Sequence, residues 1–344
     1  MLVFPAADID QEEGVIPGPF GWSNRLTLSP QPFTGAQLTR LRAAIPGFDA
    51  MGVAIIDVSG TSPIGYATNF TKTGFAASLV KIVAMYAAFY LQDRLRSMSG
   101  FFGTKRLEEV ESLLRKEWRV ALRAGVPRQT GDFPDINRIF GSTSFAFSKR
   151  FASNMNAMMK LSDNGASGQC IRAIGYDYIN GALVHGGFFD PTAKSGFWLA
   201  GDYTKDTDPS NRDGATIPGL GTTQAASAKA VSLMLANLAR NELISPAASA
   251  GIRVVMSDAI SWIAPTIQST HPDATILNKI GLAGSVHDCA IVQYSNAHYA
   301  FCALFSQGYG IEPLFAELDR LAQELFAVSM VRDGARTMVR VLKL

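Results

Sequence analysis

Hydrophobic side chains are most concentrated in residues 75–90, which read FAASLVKIVAMYAAFY. A helix through this stretch is apolar on nearly every side, which is typical of a central, buried helix. Ser78 and Lys81 are the polar exceptions near its start, and a spacing of three residues places them on one helical face, roughly 5–6 Å apart. We therefore predict a central helix from about Ser78 to Leu95 that presents a hydroxyl and an amine side by side.

The period of the apolar positions changes along the rest of the chain. It predicts strands at residues 51–59, 64–67, 275–281, 286–294 and 298–305. It predicts helices at residues 35–45, 105–124, 148–161, 166–183 with a break at Gly175, 224–241, 245–257 and 311–328. Strands, then helices, then strands again indicate an α/β (α+β) fold with an antiparallel sheet built from both chain ends and an all-helical part inserted.

This order predicts a discontinuous domain organisation. The α/β domain comprises residues 35–67 and 258–328, and the helical domain comprises residues 68–257. An irregular, proline-rich arm precedes them at residues 1–34, and a C-terminal tail of solvated strand or coil follows at residues 329–344. Residues 186–221 are rich in glycine, aspartate and aromatic residues without a clear period, and a loop of that length inside a compact chain is usually functional.

Composition and charge exclude several classes of protein. The chain has 344 residues, of which 47% are hydrophobic and 17% charged, so it can bury a large core. A net charge of +2 without dense basic runs gives no reason to expect a nucleic-acid partner. Because no apolar run reaches 18 residues, we expect no membrane span. As written the N-terminus lacks a signal peptide, so we expect a cytoplasmic protein, or a periplasmic or secreted one whose leader has been removed.

The three cysteines lie in apolar surroundings, and we predict that all three are buried free thiols. Cys289 and Cys302 fall on two predicted hairpin strands joined near Asn296, in a register that makes them diagonal neighbours. The four histidines are scattered without metal-ligand spacing, so we expect no metal and no cofactor.

Three short motifs carry candidate chemistry. Ser78 and Lys81 lie at a predicted helix start, where burial would lower the pKa of the amine and let it serve as a base. Ser162-Asp163-Asn164 lies at a predicted helix junction, and Lys279-Ile280-Gly281 lies on a predicted strand. Each motif also has an ordinary structural explanation: Ser78 and Ser162 could cap helices, and either lysine could extend to solvent.

In this order and context, the motifs resemble those of class A β-lactamases and penicillin-binding proteins, over roughly residues 35–328. The resemblance implies that Ser78 is the nucleophile of an acyl-enzyme and that Lys81 is the base, or part of it. It implies that Ser162 carries a proton to the leaving group, and that Lys279 keeps the surroundings of this hydroxyl positive.

The resemblance also implies the residues that bind substrate. Asn164 would hold the acyl-side amide, and Gly281 would let the substrate approach the backbone. The backbone N–H groups of Ser78 and Leu282 would form the oxyanion hole.

Two departures from the family pattern bear on the substrate. Class A β-lactamases activate the deacylating water with a glutamate, whereas no glutamate occurs here between Glu117 and Glu242; Asp190 and Asp202 are the candidates left in that region. The family's hydroxyl that binds a substrate carboxylate is replaced by Ile280, and no arginine or lysine follows between residues 281 and 297. Both departures argue against penicillins as the natural substrate.

These observations support three functional hypotheses. The first is a serine hydrolase that acts on a small-molecule ester or amide and is a poor β-lactamase. The second is a genuine class A-type β-lactamase or D-alanyl-D-alanine peptidase with a relocated deacylating carboxylate. The third is a penicillin-binding or sensor protein that holds or acylates a ligand without turning it over.

Overall fold

The chain forms a six-stranded sheet joined to a helical part, described here from a computed structural model. The structure describes residues 22–60, 62–103, 109–112, 114, 133–141, 145–200, 220, 222–294, 297–307 and 310–341. Most of the helix predicted at residues 105–124 and the second half of the loop at residues 186–221 lie outside these ranges.

The strands are β1 (Gln31–Pro32), β2 (Gly52–Asp57), β3 (Ile64–Thr68), β4 (Thr73–Phe75), β5 (Phe189–Asp190), β6 (Ser195–Gly196), β7 (Trp198–Leu199), β8 (Gln224–Ser227), β9 (Thr275–Leu282), β10 (Val286–Tyr294) and β11 (Ala297–Ser306). The helices are α1 (Gly35–Ala44), α2 (Lys81–Phe102), α3 (Ile136–Ile139), α4 (Lys149–Lys160), α5 (Asn164–Ile174), α6 (Tyr176–His185), α7 (Ala228–Ala239), α8 (Pro246–Met256), α9 (Ile263–Gln268) and α10 (Glu312–Val341). The three strands predicted after residue 274 are confirmed to within one residue at each end.

The large sheet has the strand order β1-β3-β2-β11-β10-β9. All its pairs are antiparallel except β1 with β3. Strands β2 and β3 come from the start of the chain and β9 to β11 from its end, so both ends build one sheet as predicted. Strand β9 forms one edge of this sheet, which leaves one side of its backbone open to the cleft.

Two hydrophobic clusters cover the two faces of the sheet. One contains α2, α7 and most of the helical part, together with residues from β9, β10 and β11 such as Leu277, Cys289 and Cys302. The other packs α1, α9 and α10 against the opposite face, where it includes Val286, Ala290 and Phe301. Successive strand residues point to opposite faces, so each strand between them contributes to both clusters.

The central helix forms at the predicted place but runs seven residues past the predicted end at Leu95, to Phe102. A 3-10 turn at Ala77–Val80 leads directly into α2, which ends at Gly103 with a left-handed backbone at φ 64°. The side chains from Leu79 to Leu91 are buried on all sides of the helix. No helix among the described residues has both the length and the apolar content needed to cross a bilayer.

Two predictions of secondary structure are wrong. Residues Gln224–Ser227 form strand β8 between β4 and β7, not the first turn of a helix, because their backbone groups pair with Thr73–Phe75 and Ser227 caps α7. The helix α10 continues to Val341, past the predicted end at residue 328 and through most of the segment predicted as strand or coil. In β8 the tertiary pairing overrides the helix propensity of two alanines.

The N-terminal residues 22–34 span both parts of the molecule. Trp22 packs against Tyr86 and Tyr90 of α2, and the hydroxyl of Tyr90 donates to the Trp22 carbonyl. Nine residues later, at Gln31, β1 begins and pairs with β3 at the edge of the sheet. We call this segment the strap.

All three cysteines are free and buried, as the sequence predicts. The predicted register of one pair is wrong: Cys289 lies directly opposite Cys302, not diagonal to it. Tyr294 pairs with Ala297, so only two residues join β10 to β11, and that short connection sets the register. Burial raises the pKa of Cys170 and of Cys302 to about 12, and it also raises the pKa of Cys289.

We expect none of the three thiols to react with an aromatic disulfide reagent in the native protein, because each is buried and thiolate is scarce at neutral pH. Titration in denaturant should release three equivalents of thionitrobenzoate per chain. Rapid release of one equivalent from the native protein would contradict the burial described here.

Candidate active site

The candidate nucleophile lies on a tight turn between a strand and the central helix. Strand β4 pairs with β8, and the Ala76 N–H donates to the Gln224 carbonyl at 2.8 Å, which fixes where the turn begins. Ala77 has a left-handed backbone with φ 47°, which costs a non-glycine residue roughly 1–3 kcal/mol. Ser78 follows it, is half-buried, and accepts the Lys81 N–H at its backbone carbonyl.

Lys81 is fully buried, and its ammonium group donates to oxygens of two residues of the second motif. Its Nζ lies 2.5 Å from the Ser162 carbonyl, 3.2 Å from Ser162 Oγ and 2.8 Å from Asn164 Oδ1. Burial lowers the pKa of Lys81 to about 7; Lys279 adds to the lowering and Asp163 opposes it. A lysine with that pKa is partly neutral near pH 7 and can accept a proton.

Ser162 occupies the junction between α4 and α5, with a left-handed backbone at φ 57°. The next residue, Asp163, accepts the Ala166 N–H at 2.6 Å and caps α5. This junction directs the Ser162 hydroxyl inward, where it accepts from Lys81 and, at 2.8 Å, from Nζ of Lys279. One hydroxyl therefore lies between two buried lysines.

Lys279 reaches Ser162 from strand β9. It is fully buried, and its Nζ also donates to the Ile280 carbonyl at 2.9 Å. Burial lowers the pKa of Lys279 to about 8, whereas Asp288 and Cys289 act to raise it.

Gly281 is what allows β9 to approach the nucleophile turn. A Cβ at this position would lie 2.6 Å from the Ala76 carbonyl oxygen and 2.9 Å from the Leu79 nitrogen. Both atoms belong to backbone and cannot move aside cheaply, so a larger residue would push the strand away from Ser78. Leu282 is therefore held one residue from this contact, and its side chain is 43% exposed.

Ile280 is nearly buried and lies on the face of β9 opposite to Lys279 and Gly281. It pairs across the sheet with Asp288, a carboxyl group that sequence analysis did not single out. Asp288 Oδ1 accepts the Cys289 N–H at 2.8 Å, and Oδ2 is buried without a hydrogen-bond partner among the described residues. Burial raises the pKa of Asp288 well above its usual range.

A second serine forms a contact that resembles a catalytic pair. Ser285 Oγ lies 2.7 Å from Nε2 of His287, whose Nδ1 accepts the Phe305 N–H at 3.0 Å. Because Nδ1 accepts, Nε2 carries the proton of a neutral imidazole and donates it to Ser285. Burial lowers the pKa of His287 to about 4, so the ring stays neutral and does not activate Ser285 as a nucleophile.

Of the two aspartates predicted as deacylation candidates, the structure describes only Asp190. Asp190 is exposed, and its Oδ1 accepts the N–H groups of Thr192 and Ala193 at 2.8 and 3.0 Å, as is typical of a turn aspartate. Asp202 lies outside the described residues. In the described part of the chain, no cluster of His, Cys, Asp and Glu side chains is arranged to hold a metal ion.

The structure thus places Lys81, Ser162, Asn164 and Lys279 in one hydrogen-bonded group, with Ser78 one turn before Lys81. Sequence analysis missed the left-handed residues Ala77 and Ser162. Neither is a glycine or an asparagine, so no signal in the sequence indicates their conformation.

Comparison with known proteins matches this chain to a protein family and to solved structures. A family model described as the β-lactamase enzyme family matches residues 150–326, just over half of the chain. A search of curated proteins finds no match.

Solved structures match most of the chain at low sequence identity. "Structure of PBP-A" is 16% identical with a TM-score of 0.51, over 89% of this chain and 100% of that one. The TLA-3 extended-spectrum β-lactamase is 14% identical with a TM-score of 0.55, over 86% and 100%. A β-lactamase from Sphaerobacter thermophilus is 14% identical with a TM-score of 0.52, over 86% and 98%. These matches confirm the predicted fold class.

The two neighbouring lysines generate a prediction about pH dependence. Lys279→Met removes a positive charge that lowers the pKa of Lys81, so the pKa of Lys81 should rise. With Lys81 as the base, the rate at which a phosphonate labels Ser78 should increase as Lys81 loses its proton. We therefore expect the acid limb of that rate, near pH 7 in the unmodified protein, to move to higher pH by about one unit.

Lys160→Met is the matched control, because Lys160 ends α4 beside the site but pairs with Asp258 at 3.6 Å. It should leave the midpoint of the limb in place. An unchanged midpoint in Lys279→Met would show that Lys279 does not set the basicity of Lys81.

Proposed function

The chain belongs to the β-lactamase enzyme family, as the motifs indicated, and on that premise we propose that it is a serine hydrolase acting on a small ester or amide through an acyl-enzyme at Ser78. The observation that carries the proposal is the hydrogen-bonded group of Lys81, Ser162 and Lys279 one turn from Ser78. Two buried lysines converging on one hydroxyl are costly to stability, and a proton-transfer role explains why the fold retains them.

Acylation begins with the neutral form of Lys81. Its Nζ takes the proton of Ser78 Oγ while Oγ bonds to the substrate carbonyl carbon and the carbonyl π pair moves to oxygen. The backbone N–H groups of Ser78 and Leu282 donate to that oxyanion, for which the close approach of Gly281 to the turn is the structural support.

Breakdown of the tetrahedral intermediate requires a proton for the leaving group. Ser162 Oγ donates it and recovers a proton from Lys81, whose Nζ lies 3.2 Å away. Lys279, at 2.8 Å, favours the negative charge that develops on Ser162 Oγ during this transfer. Asn164 Oδ1 is occupied by Lys81, so its amide NH₂ is left to donate to a substrate carbonyl.

Deacylation is the step for which the described residues offer no dedicated carboxylate. Asp190 is engaged in its own turn, and Asp202 lies outside the described part of the chain. Lys81 can itself activate water once the leaving group has departed, because its pKa is about 7. This route suits a reactive ester better than a stable penicilloyl adduct.

The substrate group next to the scissile bond is uncharged in this proposal. Ile280 offers no hydroxyl to a carboxylate, and its cross-strand neighbour is the buried acid Asp288. An ester or amide substrate with a neutral group next to Ile280 would leave no charge without a partner there.

Two alternatives from the same family remain to be separated by experiment. A β-lactamase or D-alanyl-D-alanine peptidase would turn over nitrocefin or an acylated D-alanyl-D-alanine peptide. A penicillin-binding or sensor protein would form a stable adduct and turn over no ester. A steady-state assay with p-nitrophenyl acetate, nitrocefin and an acylated D-alanyl-D-alanine peptide distinguishes all three.

We predict that Ser78 is the serine that takes a covalent adduct from a serine-directed phosphonate. Intact mass should show one adduct per chain, and Ser78→Ala should abolish it because the nucleophile is absent. Peptide mapping by tandem mass spectrometry checks the position.

Ser285→Ala is the matched control, since Ser285 has a histidine partner that donates to it and does not deprotonate it. This variant should label at the unmodified rate. An adduct at Ser285, or at any serine other than Ser78, would refute the proposed function.

We predict that Ile280→Thr raises the rate of acylation by benzylpenicillin by about ten- to a hundredfold, because the hydroxyl supplies a charge-assisted hydrogen bond to the carboxylate. The adduct should persist for hours in both proteins, since no new base for water is introduced. Time-resolved intact mass follows both steps.

Ile276→Thr makes the same substitution four residues earlier, on the same face of β9, and should not change acylation. Equal rates in Ile280→Thr and the unmodified protein would contradict the role given to position 280. Rapid turnover of benzylpenicillin by the unmodified protein would instead favour the β-lactamase alternative.

A further inference from the structure

Large hydrophobic side chains are exposed around the candidate active site. Among the described residues, seven such side chains are exposed: Ile64, Phe75, Phe101, Leu161, Val254, Ile260 and Leu282. Three of them lie within three residues of the catalytic motifs: Phe75 before Ser78, Leu161 before Ser162, and Leu282 after Gly281. Exposed leucines scattered singly need no explanation, but one beside each motif of a single site does.

A fourth exposed side chain, Ile260, is tied to the same place by two hydrogen bonds. Its N–H donates to the Lys160 carbonyl at 3.0 Å, which places it beside Leu161. Its carbonyl accepts from the Asn278 side chain at 2.9 Å, which places it beside strand β9. We call Phe75, Leu161, Ile260 and Leu282 the apolar rim.

One member of the apolar rim, Leu282, lies on the same face of β9 as Ile280. Alternation along the strand places Asn278, Ile280 and Leu282 on one face, and Val286 pairs with Leu282 across the hairpin. Because β9 is an edge strand, a substrate lying along its open side meets Lys279 and Gly281 from one face and Ile280 and Leu282 from the other. On this face of the strand, Ile280 and Leu282 are the hydrocarbon side chains next to Gly281, and Leu282 is the exposed one.

We propose that the apolar rim and Ile280 bind an unbranched hydrocarbon chain of the substrate, so that the enzyme acts on esters or amides of aliphatic acids. This inference rests on the proposed function and specifies its substrate class. An exposed apolar surface gains free energy by taking a hydrocarbon out of water, and here that surface borders the nucleophile turn. A substrate chain is favoured over a partner protein because Phe75, Leu161 and Leu282 each lie within three residues of Ser78, Ser162 or Gly281, so the rim borders the reacting group itself.

Ethyl p-nitrophenyl alkylphosphonates with methyl, butyl, hexyl and octyl chains test the proposal without requiring deacylation. Each reaction forms a bond from Ser78 Oγ to phosphorus and expels p-nitrophenolate, which is measured by absorbance. A fully buried methylene would give roughly a fourfold gain, and on a half-exposed rim we expect roughly twofold per methylene. The second-order rate constant should therefore rise about a hundredfold from methyl to octyl.

The variant Leu161→Ser/Ile260→Ser/Leu282→Ser should reduce the octyl-to-methyl ratio to about ten or less. All three side chains are exposed, and an unchanged melting temperature by circular dichroism verifies the fold. The control Ile64→Ser removes an equally exposed isoleucine at the start of β3 and should keep the full ratio.

The outcomes separate this inference from the proposed function. Labelling of Ser78 at a rate independent of chain length, or a ratio that survives in the triple variant, overturns the hydrocarbon site and leaves the hydrolase intact. A ratio that Ile64→Ser reduces as strongly as the triple variant also overturns it. Absence of any label at Ser78 overturns both.

Discussion

Two lysines that are fully buried share one serine hydroxyl, and the cost of burying their charges constrains the structure around them. An ammonium group removed from water needs several oxygen acceptors. Lys81 donates to oxygens of Ser162 and Asn164, and Lys279 donates to oxygens of Ser162 and Ile280. These oxygens belong to the α4–α5 junction and to β9, so neither the helix junction nor the edge strand can shift without leaving a charge unpaired.

Two residues of this site carry backbone strain. Ala77 and Ser162 both adopt left-handed conformations, at φ 47° and φ 57°. Ala77 immediately precedes Ser78, and Ser162 is itself a motif residue. Gly281 supplies the third adjustment, since no side chain fits between it and the turn at Ala76–Leu79. Strained residues of this kind persist only where the surroundings determine them. The hydrogen bonds from the two lysines do so at Ser162, and the pairing of β4 with β8 does so next to Ala77.

The sequence predicts the fold and the candidate residues of this site better than it predicts backbone conformation and strand register. Apolar period and motif order were sufficient for the strands β9 to β11, for the central helix, and for the choice of Ser78, Lys81, Ser162, Asn164 and Lys279 as candidates. They failed at β8, where pairing with β4 overrides the helix propensity of Ala225 and Ala226. They also failed for Cys289, whose register depends on the length of one short connection. Such features arise from tertiary contacts that local pattern does not encode.

The strap has a mechanical consequence for the cleft between sheet and helices. The chain crosses from the sheet to the helical part between β3 and β4 and returns before β9, and two crossings by themselves allow rotation about the line that joins them. Residues 22–34 add a third connection, from β1 in the sheet to Trp22 against α2, at the opposite edge from β9. With the strap in place, the far edge of the sheet and the central helix are attached to each other by the chain itself as well as by the packing between them.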